Sequence, residues 1–158
     1  MLKGRCSIKT RGRKDTRRYP GRPILGVGAI ILNRNRVLLV ERGREPLKGY
    51  WSLPGGVLET GERLEEGIRR EVREETGLEI RIIEVVEIFE RIMRDEKGAA
   101  EYHYVLIDYL CRAIGGKLAA SDDVARVEWV PRTLLTQYRI TEGTLPVIEK
   151  AFQVRAKK

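Results

Sequence analysis

The period of the hydrophobic positions changes several times along the chain, and each change marks an element. Residues 24–32 (ILGVGAIIL) and 36–42 (RVLLVER) are apolar and β-branched, with Asn33-Arg34-Asn35 between them. They predict an early hairpin whose turn exploits the tolerance of Asn for positive φ. Gly26 and Gly28 alternate with Leu25 and Val27, which leaves one strand face open to close packing. Further on, Leu64, Ile68 and Val72 recur at i, i+4 and i+8, the spacing of a helix that buries one side. Glu66, Arg69 and Arg73 fall on the opposite, solvated side. Thr60 is the expected N-cap and Gly77 the C-terminal stop, with Gly67 keeping one side of the helix open.

The second half is richer in strands. Residues 79–90 (EIRIIEVVEIFE) alternate in part and predict a strand; residues 91–100 read as a charged loop with Asp95-Glu96-Lys97-Gly98 at its tip. Residues 101–113 (EYHYVLIDYLCRA) are apolar on both alternations. A strand buried on both faces requires helices on both sides of its sheet. Gly115-Gly116 and Ser121-Asp122-Asp123 mark turns, residues 127–130 form a short strand, and residues 131–138 a helical turn. Residues 144–157 give the closing helix, with Pro146 in its first turn and an apolar stripe of Val147, Ile148, Ala151 and Phe152. His103, the sole histidine, and Cys111 read as structural residues within a strand.

Charge changes this picture only at the N-terminus. Of 31 Lys and Arg and 23 Asp and Glu, residues 1–22 hold nine basic groups against one acid, so residues 23–158 are balanced. A length of 158 residues suits a single domain at 23–158, preceded by a basic extension at 1–22. That extension has no apolar core of a secretory signal, and the apolar run 24–32 is too short to span a membrane, so a cytoplasmic protein is expected. Two cysteines, Cys6 and Cys111, supply neither a zinc set nor a disulfide framework.

The chemistry concentrates in residues 55–78, GGVLETGERLEEGIRREVREETGL. On a helix Glu71, Glu74 and Glu75 fall within about 100° of one another, on one face. Two like charges ~5 Å apart repel by roughly 3 kcal/mol at an effective dielectric of about 20, so three acids in a group call for a cation. Hard oxygen donors suit Mg²⁺, or Mn²⁺, rather than zinc. Just upstream, Arg42 and Arg44 carry the planar fork that matches a diphosphate, and Trp51 supplies an aromatic wall near them.

Read with its spacing, Gly56, Glu62 and the run Arg70-Glu71-Val72-Arg73-Glu74-Glu75-Thr76-Gly77-Leu78 resemble the Nudix box of the Nudix hydrolase family at every defined position. Together with the order of elements, the resemblance implies an α/β fold, a mixed sheet sandwiched between helices. It implies a Mg²⁺-dependent hydrolase of nucleoside diphosphate derivatives, with metal held by Glu71, Glu74, Glu75 and the Gly55 carbonyl. Gly55 and Gly56 would let the backbone approach that metal, Glu62 and Arg70 would order the loop, and Glu59 would be an outer ligand. The general base stays open between a box glutamate, Glu71 or Glu74, and a later acid, Asp122, Asp123 or Glu101. The stretch RGREPLKGYWSLPGG resembles proteins that act on ADP-ribose, which puts that substrate first and places Arg42, Arg44 and Trp51 at the substrate mouth. An oxidised nucleoside triphosphate is the alternative, followed by an RNA 5′ end or a nucleic-acid-binding role for the basic extension. A small nucleotide, rather than a membrane or nucleic acid, is therefore the expected partner, and a homodimer the expected assembly.

Overall fold

A computed structural model describes residues 17–122 and 124–156. Strands β1 (Ile24–Asn33) and β2 (Arg36–Arg42) form the expected hairpin, pairing Leu32 with Val37 and Asn33 with Arg36. The positive φ of its turn falls on Arg34, at 51°, and not on either Asn. The short strands β3 (Trp51–Ser52) and β4 (Gly55–Val57) lead into helix α1 (Leu64–Thr76). Then come β5 (Leu78–Arg94), β6 (Ala100–Gly116), β7 (Val124–Pro131), a 3₁₀ turn at Arg132–Gln137 and helix α2 (Thr144–Ala156).

The sheet runs β3-β2-β1-β6-β5, with β4 added against β1 and β7 against β2. It is mixed: β1 lies parallel to β6 over Ile24 to Ile31, whereas the other pairs are antiparallel. Side-chain alternation along β1 divides the core in two. Val27, Ala29 and Ile31 pack with Ile68 and Val72 of α1, and Ile30 and Leu32 pack with Val147, Ile148, Ala151 and Phe152 of α2. Burying side chains as completely as Ile68 and Val72 contributes about 1.5–3 kcal/mol each. The sheet is thus covered on both faces, as the double alternation of residues 101–113 requires, and Cys111 is a buried core residue.

Several boundaries differ from the pattern: β6 runs on through Gly115 and Gly116, which pair with Glu79 and Leu78, and β7 already begins at Val124. Residues 91–94 continue strand β5, since Arg91, Ile92, Met93 and Arg94 pair with Tyr104, His103, Tyr102 and Ala100. The turn contracts to residues 95–99, where Asp95 Oδ1 accepts the N–H groups of Lys97 and Ala99 at 2.9 Å each. Helix α1 starts at Leu64 instead of after Thr60: Gly61 has φ 87°, and the Arg63 N–H donates to Glu66 Oε2 at 3.0 Å. Gly67 does not face open space. Its missing Cβ makes room for Leu58 Cδ1 at 2.7 Å and Glu62 Oε2 at 3.0 Å, so the loop folds down onto the helix. Gly77 stops the helix as expected, with φ 72° and its N–H on the Arg73 carbonyl.

Among the described glycines Gly55 leaves the least room for a side chain. It has φ 153°, and a Cβ there would lie 2.1 Å from the Val27 carbonyl oxygen. Gly55→Ala should therefore cost at least about 3 kcal/mol, whereas Gly98→Ala, in open space at φ 81°, should cost about 1 kcal/mol. Chemical denaturation of the two variants checks this, and equal losses would contradict it.

Candidate active site

The residues of 55–78 converge because Arg70 ties them together. Its Nε and Nη2 donate to Glu62 Oε1 and Oε2 at 2.7 and 2.9 Å, a two-pronged fork across eight residues of chain. Nη1 donates to Glu71 Oε1 at 2.8 Å and to Glu74 Oε2 at 3.2 Å, and Nη2 also reaches the Val57 carbonyl at 3.3 Å. The Arg70 fork, helped by the Glu59 N–H, holds the Glu62 carboxyl down at about 2. The same ion pair raises the guanidinium. The expected Glu62–Arg70 pair is thus present.

Glu71 and Glu75 are fixed from strand β4. A Cβ on Gly56 would lie 2.5 Å from the Glu71 carboxylate, so this glycine leaves the space that the carboxylate occupies. The Gly55 N–H donates to Glu75 Oε2 at 2.9 Å. The glycines serve the close approach of strand and carboxylate, a role not anticipated for them. Burial raises the Glu71 carboxyl, against the pull of Arg70. Glu71, Glu74 and Glu75 all line one cavity of about 1230 Å³. Among the described residues no three acidic, His or Cys side chains close on a single point, because Arg70 draws Glu71 and Glu74 and Gly55 draws Glu75.

Arg42 and Arg44 line the same cavity, as does Glu59. Arg42 is steadied by its Nε donating to the Pro46 carbonyl at 2.9 Å. Trp51 corrects the expectation: it is 5 % exposed, lies in the α2-side core and is absent from the cavity wall. Its ring meets Tyr138 edge-on at 5.2 Å and carries Arg126 at 5.1 Å, so burial of its large apolar surface keeps it inside. Glu101 is also not brought to the site. It pairs with Arg18 at 2.8 Å and faces a separate recess with Tyr19 and Asp95. Arg17 reaches the cavity, so the last residues assigned to the extension touch the fold. Asp123 lies outside the described residues, although its neighbour Val124 lines the cavity. His103 bonds to Glu90 Oε1 at 2.8 Å, consistent with a structural role.

Sequence reasoning missed the opposite wall. Asp108, Arg91, Thr141 and Thr144 line the cavity, and all but Arg91 are buried. Asp108 is 4 % exposed, and burial pushes its carboxyl from 3.8 up to about 7, with Arg91 opposing and Glu87 reinforcing the rise. Burial likewise lowers Arg91. The signal was present: a lone acid in an apolar run, VLIDYLC, on a strand buried on both faces.

The folded chain keeps the Asp108 proton up to pH about 7, whereas the unfolded chain releases it near 3.8. Between these values the native state binds more protons, so this group's contribution to stability falls as pH rises. Asp108→Asn should gain stability over the wild type between pH 4 and pH 8, by at most about 4 kcal/mol, and the gap should close towards pH 4. Urea titrations at the two pH values check this; a pH-independent difference would contradict it.

With this geometry in place, comparison with known proteins gives a consistent answer. The family model for the NUDIX domain matches residues 22–151. An ADP-ribose pyrophosphatase of Methanocaldococcus jannaschii is 38% identical over 122 residues, spanning 77% of this chain and 69% of that protein. The mouse 8-oxo-dGDP phosphatase NUDT18 is 32% identical over 126 residues, but the chain spans only 36% of its length. Among solved structures, a MutT NUDIX hydrolase from Burkholderia pseudomallei superposes with TM-score 0.72 at 29% identity, over 82% of this chain and 98% of that one. The NUDIX domain of Shewanella oneidensis NrtR, solved with ADP ribose, gives 0.67 at 26% identity over 85% and 89%. Box, fold and relatives agree, and the chain belongs to the Nudix hydrolase family.

Proposed function

We propose that this Nudix hydrolase cleaves the pyrophosphate bond of a nucleoside diphosphate derivative with Mg²⁺, and that ADP-ribose, giving AMP and ribose 5-phosphate, is the preferred substrate. The observation that carries the reading is one cavity lined by Glu71, Glu74 and Glu75 together with Arg42 and Arg44. Arginine forks suit phosphate oxygens, and hard carboxylate donors suit a divalent ion. The rank of ADP-ribose rests on the M. jannaschii relative. An oxidised purine nucleotide is the second reading, supported by the NUDT18 similarity.

The donor set fits a hard divalent cation. Members of the family in general use such ions, and Mg²⁺, or Mn²⁺ in its place, would be held here by Glu71, Glu74, Glu75 and the Gly55 carbonyl. A bound cation of this kind neutralises phosphate charge and lowers the pKa of a coordinated water. The chain supplies the rest. Arg42 and Arg44 orient the diphosphate, and Arg70 keeps the glutamates in place. Glu71 or Glu74, or Asp123, which lies outside the described residues, takes the proton from the attacking water. Oxygen from that water joins one phosphorus as the bond from that phosphorus to the bridging oxygen breaks. Glu101 pairs with Arg18 beside a separate recess and is not assigned the base in this reading.

A homodimer belongs to the same proposal. Among the described residues β5 is an edge strand, and Val85, Ile88 and Ile92 are exposed on it opposite Tyr109, Ile107 and His103, apolar positions on one face that Glu90 interrupts. Light scattering after gel filtration should give twice the 18.1 kDa chain mass, and Ile88→Lys should shift it towards the single mass; a monomeric wild type would contradict the role of that face.

Two measurements test the activity. Turnover with Mg²⁺ should rank ADP-ribose above 8-oxo-dGTP, dinucleoside polyphosphates and triphosphorylated RNA; equal or faster turnover of 8-oxo-dGTP would overturn the ranking. Saturating Mg²⁺ should raise the melting temperature, since a ligand bound only by the native state stabilises it by mass action. Glu71→Gln should shrink that rise and lower kcat by at least about 10²-fold, with circular dichroism unchanged.

A further inference from the structure

Asp108 is central in β6, level with Gly28 of β1 on one side and Glu87 of β5 on the other. Its Oδ1 lies 2.2 Å from where a Gly28 Cβ would be, so the glycine in β1 creates the space that the carboxylate fills. Glu87 cannot help it, being itself an acid engaged with Lys150 Nζ at 2.7 Å. Among the described residues Asp108 has no hydrogen-bond donor and no ion pair, although it is 4 % exposed and lines the cavity. Arg91 acts on it only through its charge, and Arg91 Nη2 is itself buried without a partner. A carboxylate that is largely buried, has no donor among the described residues and opens onto the cavity gains from a ligand that brings donors there.

Position decides which donors. The Gly28 Cα lies 2.9 Å from where a Gly55 Cβ would be, and the Gly55 N–H holds Glu75. Asp108 therefore lies across β1 from Gly55, whose N–H holds Glu75, and lines the same cavity as the box carboxylates. Above pH about 7, where Asp108 has lost its proton, a phosphate cannot face it, because both are then anions. In a nucleoside diphosphate derivative the group directly attached to the diphosphate is a sugar, and a ribose offers two adjacent hydroxyl donors to two carboxylate oxygens.

Resting on the nucleotide-substrate reading above, we propose that Asp108 is a specificity-determining residue that accepts the vicinal hydroxyls of a substrate ribose. ADP-ribose has two riboses, so the probes are ADP-ribose and two analogues, each lacking the 2-hydroxyl of one of them. Equilibrium binding is measured without metal, for the wild type and for Asp108→Asn. The wild type should bind one analogue about tenfold more weakly than ADP-ribose, which identifies the ribose concerned. Asp108→Asn should bind ADP-ribose about tenfold more weakly than the wild type and no longer distinguish that analogue. With Mg²⁺, its KM should rise about tenfold while kcat stays within about threefold. Indifference of the wild type to both hydroxyls overturns the proposal without any variant, as does discrimination that survives in Asp108→Asn or a fall in kcat at unchanged KM. Failure of the wild type to hydrolyse ADP-ribose would instead overturn the substrate reading, while the binding comparison still decides the role of Asp108.

Discussion

A guanidinium that donates to several carboxylates at once fixes their positions as well as their charge, and Arg70 does this for the whole candidate site. Its fork holds Glu62 at 2.7 and 2.9 Å, so the loop before α1 cannot lift away. Its remaining N–H groups hold Glu71, Glu74 and the Val57 carbonyl, joining strand β4 to the helix. The bond network explains two features that a helix drawn alone leaves out. The acids stand close together because a positive group lies among them, and they do not close on one point because that group holds two of them aside.

The second constraint is backbone proximity. Gly28, Gly55 and Gly56 lie on adjacent strands, and at each the missing Cβ is replaced by a neighbour: the Asp108 carboxylate, the Val27 carbonyl and the Glu71 carboxylate. Three strands and a helix can therefore meet at one cavity without a side chain to separate them. Anionic and cationic walls result, with the box glutamates and Asp108 set among Arg42, Arg44 and Arg91. Such an arrangement suits a ligand that carries phosphates and hydroxyls together.

Much of this was legible in the sequence, for physical reasons that apply residue by residue. Ile68 and Val72 announced the buried face of α1 because helical spacing survives any tertiary context. The double alternation of residues 101–113 announced a sheet covered on both sides because each strand face needs its own partner. Charge was the poorer guide. Residues 91–94 looked like loop because they are rich in arginine, yet cross-strand pairing to β6 keeps them in the ladder. Trp51 looked like a substrate wall because it sits near Arg42 and Arg44, yet its apolar surface is better placed against Tyr138 in the core. Asp108 was overlooked because an acid in an apolar strand has no partner within reach in the sequence; its surroundings, Gly28 and Arg91, come from other strands.

The account depends on Arg70 positioning the glutamates for a divalent ion, and this can be measured without turnover. Mn²⁺ affinity of the wild type and of Arg70→Lys, followed by electron paramagnetic resonance of free Mn²⁺, tests it directly. Lysine keeps the charge but loses the fork, so the affinity should fall by about tenfold or more while circular dichroism is unchanged. An Arg70→Lys protein that binds Mn²⁺ as tightly as the wild type would contradict the central role assigned to that side chain.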